Sequence, residues 1–114
     1  MRDLGRIQRD AIESQLERLL LHILTWQYQP QLKSSSWEIS IKDARRQIKK
    51  LCRKYPVLIK HIHKEDVFDE CYLDAREAAI DKTGLPKTTF SLEYPYSLEQ
   101  VLNSSFFPEA IADE

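Results

Sequence analysis

The chain has 114 residues, of which 31% are charged, with two glycines and a formal net charge of −1. That length is enough for one hydrophobic core without metals or disulfides. Two isolated glycines, Gly5 and Gly84, exclude a P-loop or dinucleotide-binding loop, and no run approaches the roughly 18 apolar residues that cross a bilayer. The N-terminus, MRDLGRIQRD, has no apolar signal core, so a cytoplasmic setting is expected.

Residues 4–28 are predicted to form the first helix. Its centre, with Leu16, Leu19, Leu20, Leu21, Ile23 and Leu24, is apolar almost all round, which implies neighbours on more than one side. A turn around Pro30 leads to a second helix over residues 36–55, where Ser35 and Glu38 have capping-box spacing. Trp37, Ile41, Ala44, Ile48, Leu51, Cys52 and Tyr55 form one apolar stripe at i, i+4, i+7 spacing. Pro56 disfavours helical geometry at Tyr55 and suits the first position of the next helix.

Residues 57–83 are predicted helical with a break near His63–Glu65; Phe68, Tyr72, Ala75 and Ala79 form the core stripe, widened by Ala78. Gly84 suits a left-handed C-terminal cap and Pro86 prevents continuation. The tail, 85–114, has three prolines and a short helix over Leu98–Leu102, with Ser97 and Gln100 at capping-box spacing. Phe90, Tyr94, Tyr96, Phe106 and Phe107 read as anchors that hold this tail on the bundle, since a loose tail would not carry so many aromatics. The fold class is all-α: an antiparallel up-down-up three-helix bundle with a short wrapped C-terminal helical segment, one domain over 1–114.

Cys52 and Cys71 are expected on neighbouring antiparallel helices but turned apart. A disulfide needs Cα atoms within about 7 Å, so free thiols in a reducing compartment are expected.

Charge is unevenly placed. Residues 33–64 carry ten Lys/Arg against two Asp/Glu, and residues 65–114 carry three against twelve. Lys42, Arg46, Lys49, Lys50, Arg53 and Lys54 share the outer side of the second helix. Such a face can bind a phosphate backbone through counterion release, can meet an acidic partner, can pair with the acidic third helix beside it, or can simply be solvated. No recognised nucleic-acid motif accompanies it.

A second candidate is the polar–aromatic cluster His22, Trp26, Tyr28, Ser34, Ser36, Trp37 and Arg45. His22 and Trp26 are one helical turn apart, and the turn should bring Trp26 and Trp37 near each other. A histidine near Ser34 or Ser36 is a possible general base for a hydroxyl nucleophile; the alternative is a buried imidazole bonded to backbone or hydroxyl. Other groupings carry less. His61 and His63 project roughly 200° apart on a helix, which does not suit a shared metal. Glu70, Asp74 and Glu77 read as an acidic solvated face, because a carboxylate metal site would need a Glu-x-x-His that does not occur. No metal or cofactor is expected.

Three blocks are distinctive in combination: Leu19–Pro30 (L-L-x-H-x-L-x-W-x-Y-Q-P) with Ser34–Trp37 and Arg45; Tyr72, Ala75-Arg76 and Ala79 running into Thr83–Pro86; and Pro95–Leu102 (P-Y-S-L-E-Q-V-L) closing on Phe107-Pro108-Glu109. Together they resemble the bacterial "domain of unknown function 29" family, frequent in cyanobacteria, over essentially the whole chain. The resemblance implies an all-helical cytoplasmic protein with no assigned activity or cofactor. It also implies either a naturally short member or a trimmed chain, because the family usually carries an aromatic and acidic helical region before the D-L-G-R found here at Asp3–Arg6. An apolar first helix left uncovered would favour dimerisation.

The leading functional expectation is a non-enzymatic protein-interaction module whose partner is another protein or a second copy. The alternatives are a nucleic-acid-associated accessory protein, of a defence or toxin–antitoxin-like kind, using the basic face, and a hydrolase centred on His22. Trp26, Trp37 and Tyr72 are expected in or near the core, so Trp37→Ala would cost about 3–5 kcal/mol if the ring is fully buried.

Overall fold

The computed structural model describes residues 4–29, 35–94 and 96–107. They form α1 (Leu4–Tyr28), α2 (Ser35–Lys54), α3 (Val57–Ile62), α4 (Glu65–Thr83) and α5 (Leu98–Leu102), with a 3₁₀ turn at Lys87–Thr89. No strand occurs among the described residues. The fold is the expected all-helical three-helix bundle, its third helix divided into α3 and α4.

The helix limits follow local chemistry. Tyr55 precedes Pro56, and α2 ends one residue before it, at Lys54, not at Tyr55 as the pattern suggested. Lys64 adopts an extended backbone (φ −68°, ψ 130°), which separates α3 from α4. Gly84 closes α4 at φ +73°, with its N–H donating to the Ile80 carbonyl. Ser97 and Gln100 form the reciprocal capping box of α5. The turn around Pro30 and the position before Ser35 lie outside the described residues.

α1 is the central element. Ile12, Leu16, Leu19, Leu20 and Ile23 are completely buried, because α1 packs extensively on α2 and on α4. The same packing buries Ile41, Ala44 and Ile48 of α2 and Val67, Cys71, Tyr72, Ala75 and Ala79 of α4. Completely buried alanines at positions 75 and 79 permit close helix approach. α2 and α4 themselves hardly touch. This corrects the expectation that they are neighbours: they flank α1, and Cys52 and Cys71 are free on different flanks. The Cys71 thiol faces α1, donating to the Glu13 carbonyl at 3.8 Å.

The tail joins the two flanks. Phe90, Leu98 and Val101 are buried in the common core. Tyr94 packs on Tyr72 of α4 with ring centroids 4.9 Å apart, Phe90 meets Tyr28 of α1 at 4.9 Å, and Phe107 meets Trp26 at 5.1 Å. The aromatic residues are thus anchors, as their density implied.

Two arginines fix the tail's backbone. On α4, Arg76 donates to the carbonyls of Phe90 (3.0 Å) and Lys87 (2.7 Å). On α2, Arg45 donates to Val101 (2.8 Å), Ser104 (3.5 Å) and Phe106 (2.7 Å), with its guanidinium 5.2 Å from the Phe107 ring centroid. Arg45 is only 4% exposed and has no carboxylate partner among the described residues. Carbonyl dipoles, including one from the end of α5, compensate its charge.

Candidate functional site

The basic face of α2 is built by helical periodicity. Ile41, Ala44 and Ile48 point at α1, so Lys42, Arg46, Lys49, Lys50, Arg53 and Lys54 point outward, and all six are exposed. Some are neutralised locally. Lys42 pairs with Glu38 at 2.9 Å and Arg46 with Asp43 at 3.2 Å. Asp43 also receives Arg18 of α1 at 3.1 Å, and that hydrogen bond first of all holds its carboxyl below the usual range. Lys54 lies over the Tyr55 ring.

Lys49, Lys50 and Arg53 form no ion pair among the described residues. The expected alternative, pairing with the acidic third helix, does not occur among the described residues, and α2 and α4 hardly touch. With Arg46 and Gln47 these three line a shallow groove of about 320 Å³ that contains no carboxylate among the described residues. The carboxylates of α4, among them Asp69, Glu70, Asp74, Glu77 and Asp81, are exposed on the other flank.

In the polar–aromatic cluster, Trp26 and Arg45 both meet Phe107, whereas His22 and Tyr28 have other partners. His22 is half-buried in α1, and its Nδ1 lies 2.9 Å from the Arg18 carbonyl oxygen. A carbonyl can only accept, so this contact requires Nδ1–H. Burial lowers the imidazole pKa; the Arg18 carbonyl opposes this, and nearby Lys82 and Arg18 reinforce it. Trp26 and Tyr28 are half-buried beneath Phe107 and Phe90. Trp37 is half-buried in the first turns of α2, so the full-burial cost does not apply to it. Ser36 is exposed and Ser34 lies outside the described residues. Arg45 is engaged with the tail.

His61 and His63 diverge as their spacing required. His61 Nε2 donates to Glu13 of α1 at 2.6 Å, whereas His63 Nδ1 donates to the Ile59 carbonyl at 2.7 Å and its Nε2 lies 3.4 Å from Glu99. Among the described residues no three potential ligands are grouped to hold a metal. Burial pushes the Cys71 thiol up to about 12, helped by the carboxylates of Glu13 and Glu17, so it is a poor nucleophile. Burial similarly raises the Cys52 thiol.

Another opening lies far from His22 and has little signature in the sequence. A cavity of about 590 Å³ opens beside the first turns of α1, with Tyr55, Leu58 and residues of α3 as its floor. It is roughly 20 Å along α1 from His22, at 1.5 Å per residue. Its one sequence signal is Gly5, a residue that weakens a helix yet lies in the first turn of one.

Helices that bury a central partner, hold their tail through arginine–carbonyl bonds and expose one cationic flank define a small all-helical bundle protein without a recognisable catalytic constellation among the described residues. The chain belongs to the family described as domain of unknown function DUF29, whose model matches residues 1–107. No curated protein and no solved structure matches it. No helix among the described residues is long and apolar enough to cross a membrane.

Proposed function

We propose that this protein is a non-enzymatic interaction module whose exposed α2 face receives an acidic protein surface. The first candidate for that surface is the α4 flank of a second copy. One observation supports the reading: Lys49, Lys50 and Arg53 face outward without carboxylate partners among the described residues, while the exposed carboxylates of α4 stand on a helix that hardly touches α2. Opposite charges that cannot meet within one molecule can meet between two. Free Cys52 and Cys71 suit action in a reducing compartment such as the cytoplasm.

Sedimentation velocity at low and moderate salt tests this. Salt-sensitive self-association should disappear in Lys49→Glu/Arg53→Glu and in Glu70→Lys/Glu77→Lys, and return when the two variants are mixed. A monomer at low salt across micromolar concentrations would remove the second copy as partner.

The groove at Arg46, Lys49, Lys50 and Arg53, cationic and without a carboxylate among the described residues, favours one other reading, binding to a nucleic-acid backbone. Titration of labelled DNA and RNA decides it: binding that weakens steeply with salt and vanishes in Lys49→Glu/Arg53→Glu supports this reading, and no binding at low salt ends it. Hydrolysis at His22 is not proposed, because the observed partner of its ring is the backbone of its own helix.

A further inference from the structure

The cavity at the start of α1 combines an apolar floor with a cationic rim. Tyr55 and Leu58 form the floor, Leu58 being 1% exposed, and Val57 stands at the edge at 71% exposure. Arg9, Lys60 and Lys64 surround it, all exposed, and none forms an ion pair among the described residues. Among the described residues no carboxylate lines it. The lining residue His61 donates to Glu13 at 2.6 Å, so that carboxylate is already engaged. The volume, about 590 Å³, falls within the range of small-molecule sites.

Gly5 contributes by what it lacks. A Cβ there would come within 3.0 Å of Arg9 Nη1, so the missing side chain lets the guanidinium lie back against the helix at the cavity's edge. A solvated lysine needs no apolar floor, and an apolar floor beside an exposed valine is not stabilised by water. Their combination suits a molecule with an apolar body and one anionic head.

We infer that this cavity binds a small anionic amphiphile, an alkyl or aryl chain ending in a single carboxylate or phosphate. The chain covers Tyr55, Val57 and Leu58, and the head meets Lys60, Lys64 and Arg9.

Calorimetric titration of the full chain at low salt with monomeric octanoate, decanoate, octyl phosphate and octanol tests this. Octanoate or octyl phosphate should bind, and whichever binds tells a carboxylate source from a phosphate source. Lengthening octanoate to decanoate should tighten binding about tenfold, from the transfer free energy of two methylenes. Lys60→Ala with Lys64→Ala should weaken the anions about tenfold and leave octanol unchanged. Gly5→Leu should block the cavity and abolish binding; should it fail to fold, Val57→Glu at the exposed edge serves the same purpose. Octanol binding as tightly as octanoate, anion binding unaffected by the blocking variants, or binding to anionic vesicles but not to monomers would each overturn the inference.

Discussion

The two ends of α1 differ in a way that residue types alone would misjudge. The C-terminal end holds the side chains that look chemical: His22, Trp26, Tyr28 and, from the neighbouring helix, Arg45. There the tail lies over Trp26, Tyr28 and Arg45, while His22 bonds the backbone of its own helix. Phe107 and Phe90 cover Trp26 and Tyr28, Gln27 donates to Tyr96 at 2.9 Å, and Arg45 is occupied by three carbonyls. The N-terminal end has a glycine, a few apolar residues and flexible cations, yet it remains open and contains the cavity. Polar groups that are buried must find partners, and those partners consume their chemical capacity. Groups left at an opening keep theirs.

Release of the tail should cost the most stability. Arg45→Met should cost about 2–4 kcal/mol in urea unfolding, because it removes charged hydrogen bonds and strands buried carbonyls. Arg76→Met, which frees two carbonyls nearer the surface, should cost about 1 kcal/mol. If the two costs were reversed, Arg45 would not be the principal anchor.

Gly84→Val tests the turn that starts the tail. No atom lies within 4 Å of a Cβ added there, so the expected loss of about 1–2 kcal/mol is pure backbone strain at φ +73°. A thermal melt that matches the parent would show that the left-handed cap is dispensable.

Tyr94 packs between Tyr72 and Tyr96 at the covered end. Its hydroxyl is buried without a hydrogen-bond partner among the described residues, and burial raises its pKa. Tyr94→Phe removes the orphan group and keeps the ring contacts, so stability should be unchanged or rise by up to about 1 kcal/mol. A loss of more than that would reveal a partner for the hydroxyl.

The smallest effect concerns His22. Its pKa is lower folded than unfolded, so the unfolded chain binds the proton more readily. Its contribution to stability is therefore present above the ordinary imidazole range and lost as pH falls through that range toward the folded pKa. His22→Gln should flatten the pH dependence of unfolding there, and an NMR titration should place the ring's midpoint below that of an exposed histidine. A raised midpoint would contradict burial as the dominant influence.

Much of the fold was legible in the chain because it is local. Proline at 56, glycine at 84 and the Ser97–Gln100 pair act through backbone geometry and hydrogen bonds within a turn, so they set helix ends wherever the helix lies. The all-round apolar centre of α1 likewise required neighbours on several sides, and the aromatic density of the tail required a surface to cover. The outward direction of the α2 cations followed from period alone.

What the sequence did not determine was who stands beside whom. That α1 separates α2 from α4 depends on three apolar faces packing at once, and no single helix encodes it. The consequence is large, since it leaves the basic flank without the acidic one. Arg45 could be read as part of a site, because a guanidinium looks the same in sequence whether it meets substrate or backbone. Only the path of the tail, some 60 residues further on, supplied the carbonyls that occupy it. The cavity arose the same way: Gly5, Tyr55 and Lys60 are unremarkable apart, and tertiary packing alone places a missing side chain, an apolar floor and a cationic rim around one space.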